Sequence, residues 1–132
     1  MVTIFGWMEI RATYFDEDKH PEIDENKIYS EIEKRINELK YNEVKMFERN
    51  YTRFIQFSMF ENHRTERTDE IINIFCDIAR IATGSYGMLY CLDDEDKVYY
   101  DEFRVLISKK GRTEWKKDEY FSPCSKMIED IN

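Results

Sequence analysis

Cysteine and histidine are too few and too scattered in this 132-residue chain to build the common metal or redox centres. The three cysteines, Cys76, Cys91 and Cys124, are an odd number with no second cysteine two residues away. That pattern argues against a disulfide framework, a zinc ribbon or a dithiol redox motif, and for a reducing compartment. The two histidines, His20 and His63, lie far apart in sequence. No apolar run approaches the roughly 18 residues that span a bilayer. Residues 1–5 lack a basic region and a small-residue cleavage site, so no signal peptide is expected. No repeat, linker or low-complexity tract divides the chain, and its length predicts one domain.

What is present is charge and aromatic carbon. Charged residues make up 36% of the chain, hydrophobic ones 42% and aromatic ones 15%. That composition supports a packed core rather than disorder. The net charge is −8 and the sequence pI about 4.9. Such a surface disfavours nucleic acid and anionic membrane, and it attracts basic partners. Acidity that serves solubility alone is the plain alternative.

Hydrophobic periodicity orders the elements. Residues 2–13 alternate: Val2, Ile4, Met8 and Ile10 face one side, and Phe5, Trp7, Glu9 and Arg11 the other. Residues 25–40 repeat Ile28, Ile32, Ile36 and Leu39 at helical spacing behind Asp24 as cap. Residues 44–49 and 51–61 predict two strands, with Tyr51, Ile55, Phe57 and Met59 on one face and Phe54 and Phe60 opposite. Thr68 is the expected cap of a second, more apolar helix that packs deepest, and Gly84 the expected left-handed residue after it. Residues 86–92, 98–109 and 113–117 predict three more strands, and residues 125–131 a last helical turn. The expected fold is therefore α+β: a mostly antiparallel sheet of about five to six strands with two helices on one face.

Candidate chemistry is thin. Asp93, Asp94, Glu95 and Asp96 lack the alternating ligands, glycine and distal glutamate of a calcium loop, so no metal is expected there. They read as a solvated turn or as a contact for a basic partner. His63 in Asn62-His63-Arg64 needs a partner to act as a base, and it is read as fixing the strand-to-helix turn through backbone bonds. Gly84-Ser85-Tyr86-Gly87 follows a helix, where backbone carbonyls disfavour phosphate. Ser85 lacks the flanks of a nucleophile elbow. Gly87 inside a strand predicts a bulge or a close backbone approach. Cys124 is the expected exposed thiol, with a packing role in the tail, and Cys76 a small core residue.

A two-layer domain leaves one sheet face uncovered. Phe5 with Trp7, or Phe54 with Phe60, would sit there and mark an interaction surface. A homodimer, or a C-terminal segment folded over that face, is the alternative. Trp7 itself is expected in the core, because its strand should lie inside the sheet.

The ordered pieces Gly6-Trp7, Asn62-His63-Arg64, Thr83-Gly84-Ser85-Tyr86-Gly87, Phe103-Arg104-Val105, Gly111, Asp118, Phe121-Ser122-Pro123-Cys124 and Ile128-Glu129-Asp130 resemble the immunity protein 7 family of bacterial polymorphic-toxin systems. The resemblance runs from Phe5 to Asp130. It implies a small cytoplasmic protein that binds and neutralises a cognate toxin, with no catalysis and no cofactor. A basic nuclease toxin would suit the charge, because such enzymes bind phosphates. Expected toxin contacts are Asp16, Glu17, Asp18, Asp93, Asp94, Glu95, Asp96 and Tyr86. Gly6, Trp7, Asn62, His63, Arg64, Gly84, Ser85, Gly87, Ser122, Pro123 and Cys124 are expected to shape the fold. A ligand-binding or regulatory module that uses the open sheet face is the competing reading.

Overall fold

The structure, a computed structural model, describes residues 1–16, 18–39 and 41–124. Eight elements follow in order: β1 (Val2–Ile10), α1 (Glu25–Leu39), β2 (Val44–Arg49), β3 (Thr52–Glu61), α2 (Glu66–Ile81), β4 (Tyr86–Asp93), β5 (Arg104–Lys109) and β6 (Arg112–Lys117). The six strands form one antiparallel sheet in the order β2-β3-β1-β4-β5-β6. Both helices cover one face of it, as the alternation predicts. Val2, Ile4, Met8 and Ile10 join Ile55, Phe57, Met59, Leu89 and Leu106 beneath Ile32 of α1 and Ile71, Phe75 and Ile78 of α2. The more apolar α2 buries six residues and α1 only Ile32.

Several local expectations give way to tertiary detail. Tyr51 is not a core strand residue. With Asn50 it forms a two-residue turn between β2 and β3 at φ 52° and 64°, and it is 97% exposed. Positive φ at both positions suits the twist of a hairpin, but it strains a tyrosine. Tyr51→Gly should therefore stabilise the protein by about 0.5–1 kcal/mol, after the added chain entropy is deducted. A denaturant midpoint at or below that of the parent would contradict this. The β5–β6 turn, Lys110-Gly111, has the same geometry with glycine in the second place, at φ 75°.

Thr65, not Thr68, caps α2. Thr68 lies three residues on, fully buried, and its hydroxyl accepts the Thr65 N–H at 3.1 Å. The strand expected over 98–109 begins only at Arg104. Asp96 explains the delay: its carboxylate accepts the N–H groups of Val98 and Tyr99 at 2.8 and 2.9 Å and draws the chain into turns. Gly84 is not left-handed. It is glycine because a Cβ there would stand 2.4 Å from the Thr13 carbonyl oxygen. The expected helical turn over 125–131 lies outside the described residues.

Cys91 is buried in the core, Cys76 lies against it, and Cys124 is exposed, as expected. Burial pushes the Cys91 thiol up to about 11 from its ordinary 9.0. A raised folded value favours the folded state below the unfolded value, and that contribution is lost as pH rises through the folded one. Stability should therefore fall by about 2–3 kcal/mol between roughly pH 9 and 11 on account of Cys91 alone. Cys91→Ala should lose that part of the slope, as denaturant titrations at each pH would register.

Candidate functional site

The face of the sheet away from the helices carries the aromatic surface. Register places Phe5, Trp7 and Glu9 of β1 beside Phe54 of β3 and Tyr86, Met88 and Tyr90 of β4. Phe47 of β2 stands opposite Phe54. Phe5 stacks on Tyr90 at 5.1 Å, and Trp7 meets Tyr86 edge-on at 5.9 Å. Trp7 is 42% exposed, so the core placement expected for it does not hold. Its strand is central, as expected, but its side chain points away from the helices. Glu9 is the buried one among these residues. Arg11 Nε donates to its carboxylate at 3.3 Å, and the Tyr86 hydroxyl donates to it too. That bond to Glu9 holds the Tyr86 hydroxyl above its ordinary pKa.

Among the described residues, a C-terminal strap covers the β5 side of this face. The Asp118 N–H donates to the Phe103 carbonyl at 2.9 Å, while the Asp118 carboxylate accepts the Phe121 N–H at 3.0 Å. The Ser122 hydroxyl accepts the Phe103 N–H at 3.1 Å, and the Cys124 N–H reaches the Asp101 carbonyl. Phe121 thereby comes edge-on to Phe103, which in turn meets Phe5. The Ser122–Pro123 peptide within the strap is cis.

The acidic run lies at one end of β1, where Asp93 pairs with Val2. Its carboxylates are largely engaged. Asp93 accepts the Glu95 N–H, Asp94 holds the Met1 ammonium at 2.7 Å, and Glu95 meets His63 Nδ1 at 2.7 Å. The two bonds from Val98 and Tyr99 hold the Asp96 carboxyl below its ordinary value. A small cavity of about 240 Å³ opens beside the run, lined by Arg64, Asp93, Asp96, Glu102, Arg104 and Trp115 among others. Its ions are already partnered: Arg64 with Asp69, Glu102 with Lys117, and Arg104 over the Tyr99 ring at 3.9 Å.

With this geometry in place, comparison decides the family. A family model described as Immunity protein 7 matches residues 1–130. The chain belongs to the immunity protein 7 family. Searches of curated proteins and of solved structures return no match.

The residues that carry the immunity-family pattern fall into separate places. Ser85 is a buried staple: its hydroxyl accepts the Arg11 N–H at 3.1 Å and donates to the Arg11 carbonyl at 3.3 Å. Gly87 lies against β1, with room for no side chain: a Cβ would stand 2.1 Å from the Trp7 carbonyl oxygen. His63 does not fix its turn through backbone groups, because it reaches across to Glu95. Asn62 is exposed beside it. The two acidic loops are not brought together. Asp16 and Asp18 follow the far end of β1 from Asp93, about 30 Å along a nine-residue strand, and Glu17 lies outside the described residues. Sequence reading missed Phe47 as part of the aromatic face. Its alternation with Met46 and Glu48 was the available signal, and only pairing with Phe54 gives it a side. Among the described residues, no group of three or more His, Cys, Asp or Glu is placed to hold a metal ion, and no helix is long and apolar enough to cross a membrane.

Proposed function

We propose that this immunity-family protein is a stoichiometric, non-covalent inhibitor that occludes a cognate toxin domain in the cytoplasm, without turnover of its own. The observation that carries this reading is the aromatic band of Phe5, Trp7, Phe47, Phe54 and Tyr86, each between 39% and 48% exposed, on a sheet face that the described residues leave largely uncovered. Aromatic anchors of that kind supply most of the energy of protein interfaces. Among the described residues, His63 pairs with the Glu95 carboxylate rather than with a nucleophile. Co-expression with its cognate toxin domain should give a one-to-one complex on size exclusion. Toxin released by denaturation and refolded should regain full activity at unchanged mass. A covalently altered toxin, or turnover that vanishes in His63→Ala, would overturn the reading.

A basic toxin such as a nuclease remains the target that the net charge favours. On that basis Asp94 and Glu95, the exposed carboxylates of the run, steer association. Asp94→Asn with Glu95→Gln should slow binding severalfold at low salt while leaving Asp96 to hold its turn. An unchanged association rate at low salt would sink this part.

A further inference from the structure

The open face is ordered by charge as well as by carbon. Its centre is a shallow groove of about 650 Å³ running between Trp7, Phe47 and Phe54. Lys45 and Arg49 of β2 and Arg11 after β1 stand on the same face beside it, and Lys109 of β5 with Arg112 and Lys116 of β6 carry the same sign on the strapped side of the sheet. Among the described strand residues, the acidic side chains on that face are Glu9 and Glu114, and the strap adds Asp118, whose carboxylate accepts the Tyr120 and Phe121 N–H groups. Glu9 is paired with Arg11, and Glu114 with Lys116 at 3.0 Å. A face so basic is unexpected on a chain of net charge −8. Charge on the edge strands β2 and β6 guards against edge-to-edge pairing, but either sign would do that. Arg11 and Lys109 lie off the edges altogether.

We infer that this face is the docking site for a toxin surface with an apolar centre and a border of carboxylates. The inference rests on the toxin-blocking role proposed above and names the surface and the local chemistry of its partner. The toxin's net charge is a separate matter: it governs the encounter at long range, whereas the border fixes register at contact. The strap at residues 118–124 fills the β5 side, so the partner sits over β2, β3 and β1. A second copy packed face to face would set Lys45 and Arg49 against like charges, which disfavours an isologous dimer. A single nucleic-acid strand could stack on the aromatics, but the overall field of the chain repels it.

The test uses the full chain, its cognate toxin domain, and two variants whose melts and circular dichroism match the parent. Phe47→Ser removes an anchor, and Lys45→Glu with Arg49→Glu reverses the border. Phe47→Ser should weaken binding by at least about 30-fold, through faster dissociation. The double reversal should weaken it about tenfold or more and flatten or invert its salt dependence. Parental affinity in both variants, with the parent binding tightly, would overturn this inference and leave the blocking role intact. If the parent itself fails to bind, the blocking role falls and takes this inference with it. A dimer in sedimentation that Phe47→Ser abolishes would assign the face to a second copy. An oligothymidylate probe bound at physiological salt and lost in the double reversal would assign it to nucleic acid. Either outcome overturns the inference.

Discussion

Gly87→Ala should lower the unfolding midpoint by on the order of 10 °C. Gly87 pairs with Met8 between the two central strands, β1 and β4. A Cβ there would stand 2.1 Å from the Trp7 carbonyl oxygen and 2.7 Å from the Met8 Cα. Both obstacles are backbone in the middle of a six-stranded sheet, so neither can rotate aside as a side chain would. The strands must part and weaken the ladder on which the core is built. Overpacking of this kind costs about 1–3 kcal/mol and occasionally more, and a backbone obstacle puts it at the upper end. For a domain of this size, each kcal/mol moves the midpoint by roughly 3–5 °C. Gly6 meets the same close approach from the other strand, 2.2 Å from the Met88 carbonyl oxygen, so the two alanine substitutions should not add. A Gly87→Ala melt within about 2 °C of the parent would show that the strands separate more easily than their spacing implies.

Trp7→Ala should do the reverse, sparing the fold and removing the partner. The ring is 42% exposed, and its closest aromatic neighbour, Tyr86, is itself on the surface. Truncation therefore loses only partial burial, on the order of 1 kcal/mol, against the roughly 3–5 kcal/mol of a fully buried aromatic such as Phe75. The melt should shift by a few degrees at most. Affinity for the toxin domain should fall by about 30-fold or more, as for an aromatic at the centre of an interface. Isothermal titration beside a thermal melt separates the two roles. A large drop in midpoint with unchanged affinity would return Trp7 to a purely structural role.

The sequence by itself determined the order and type of the elements, the helix-covered face and the family. Each of these is written locally. The alternation of Val2, Ile4, Met8 and Ile10 and the helical spacing of Ile71, Phe75 and Ile78 survive any change of neighbours. The Gly84-to-Gly87 piece is legible because both end glycines meet foreign backbone where they stand, Gly84 against Thr13 and Gly87 against β1. Only the tertiary structure decided the rest. Alternation says that Trp7 and Ile4 face opposite ways, but not that Trp7's side stays largely uncovered. That depended on both helices choosing the other face and on the described strap, residues 118–124, lying over the β5 side. Asp96 reads as one acid among four until its carboxylate is seen holding two N–H groups and delaying β5. The two acidic loops read as one charge, yet a nine-residue strand holds them apart. Local preference fixes what a segment becomes, because its hydrogen bonds close within it or with an adjacent strand. Which surface remains for a partner is fixed by what the whole chain has left to cover it.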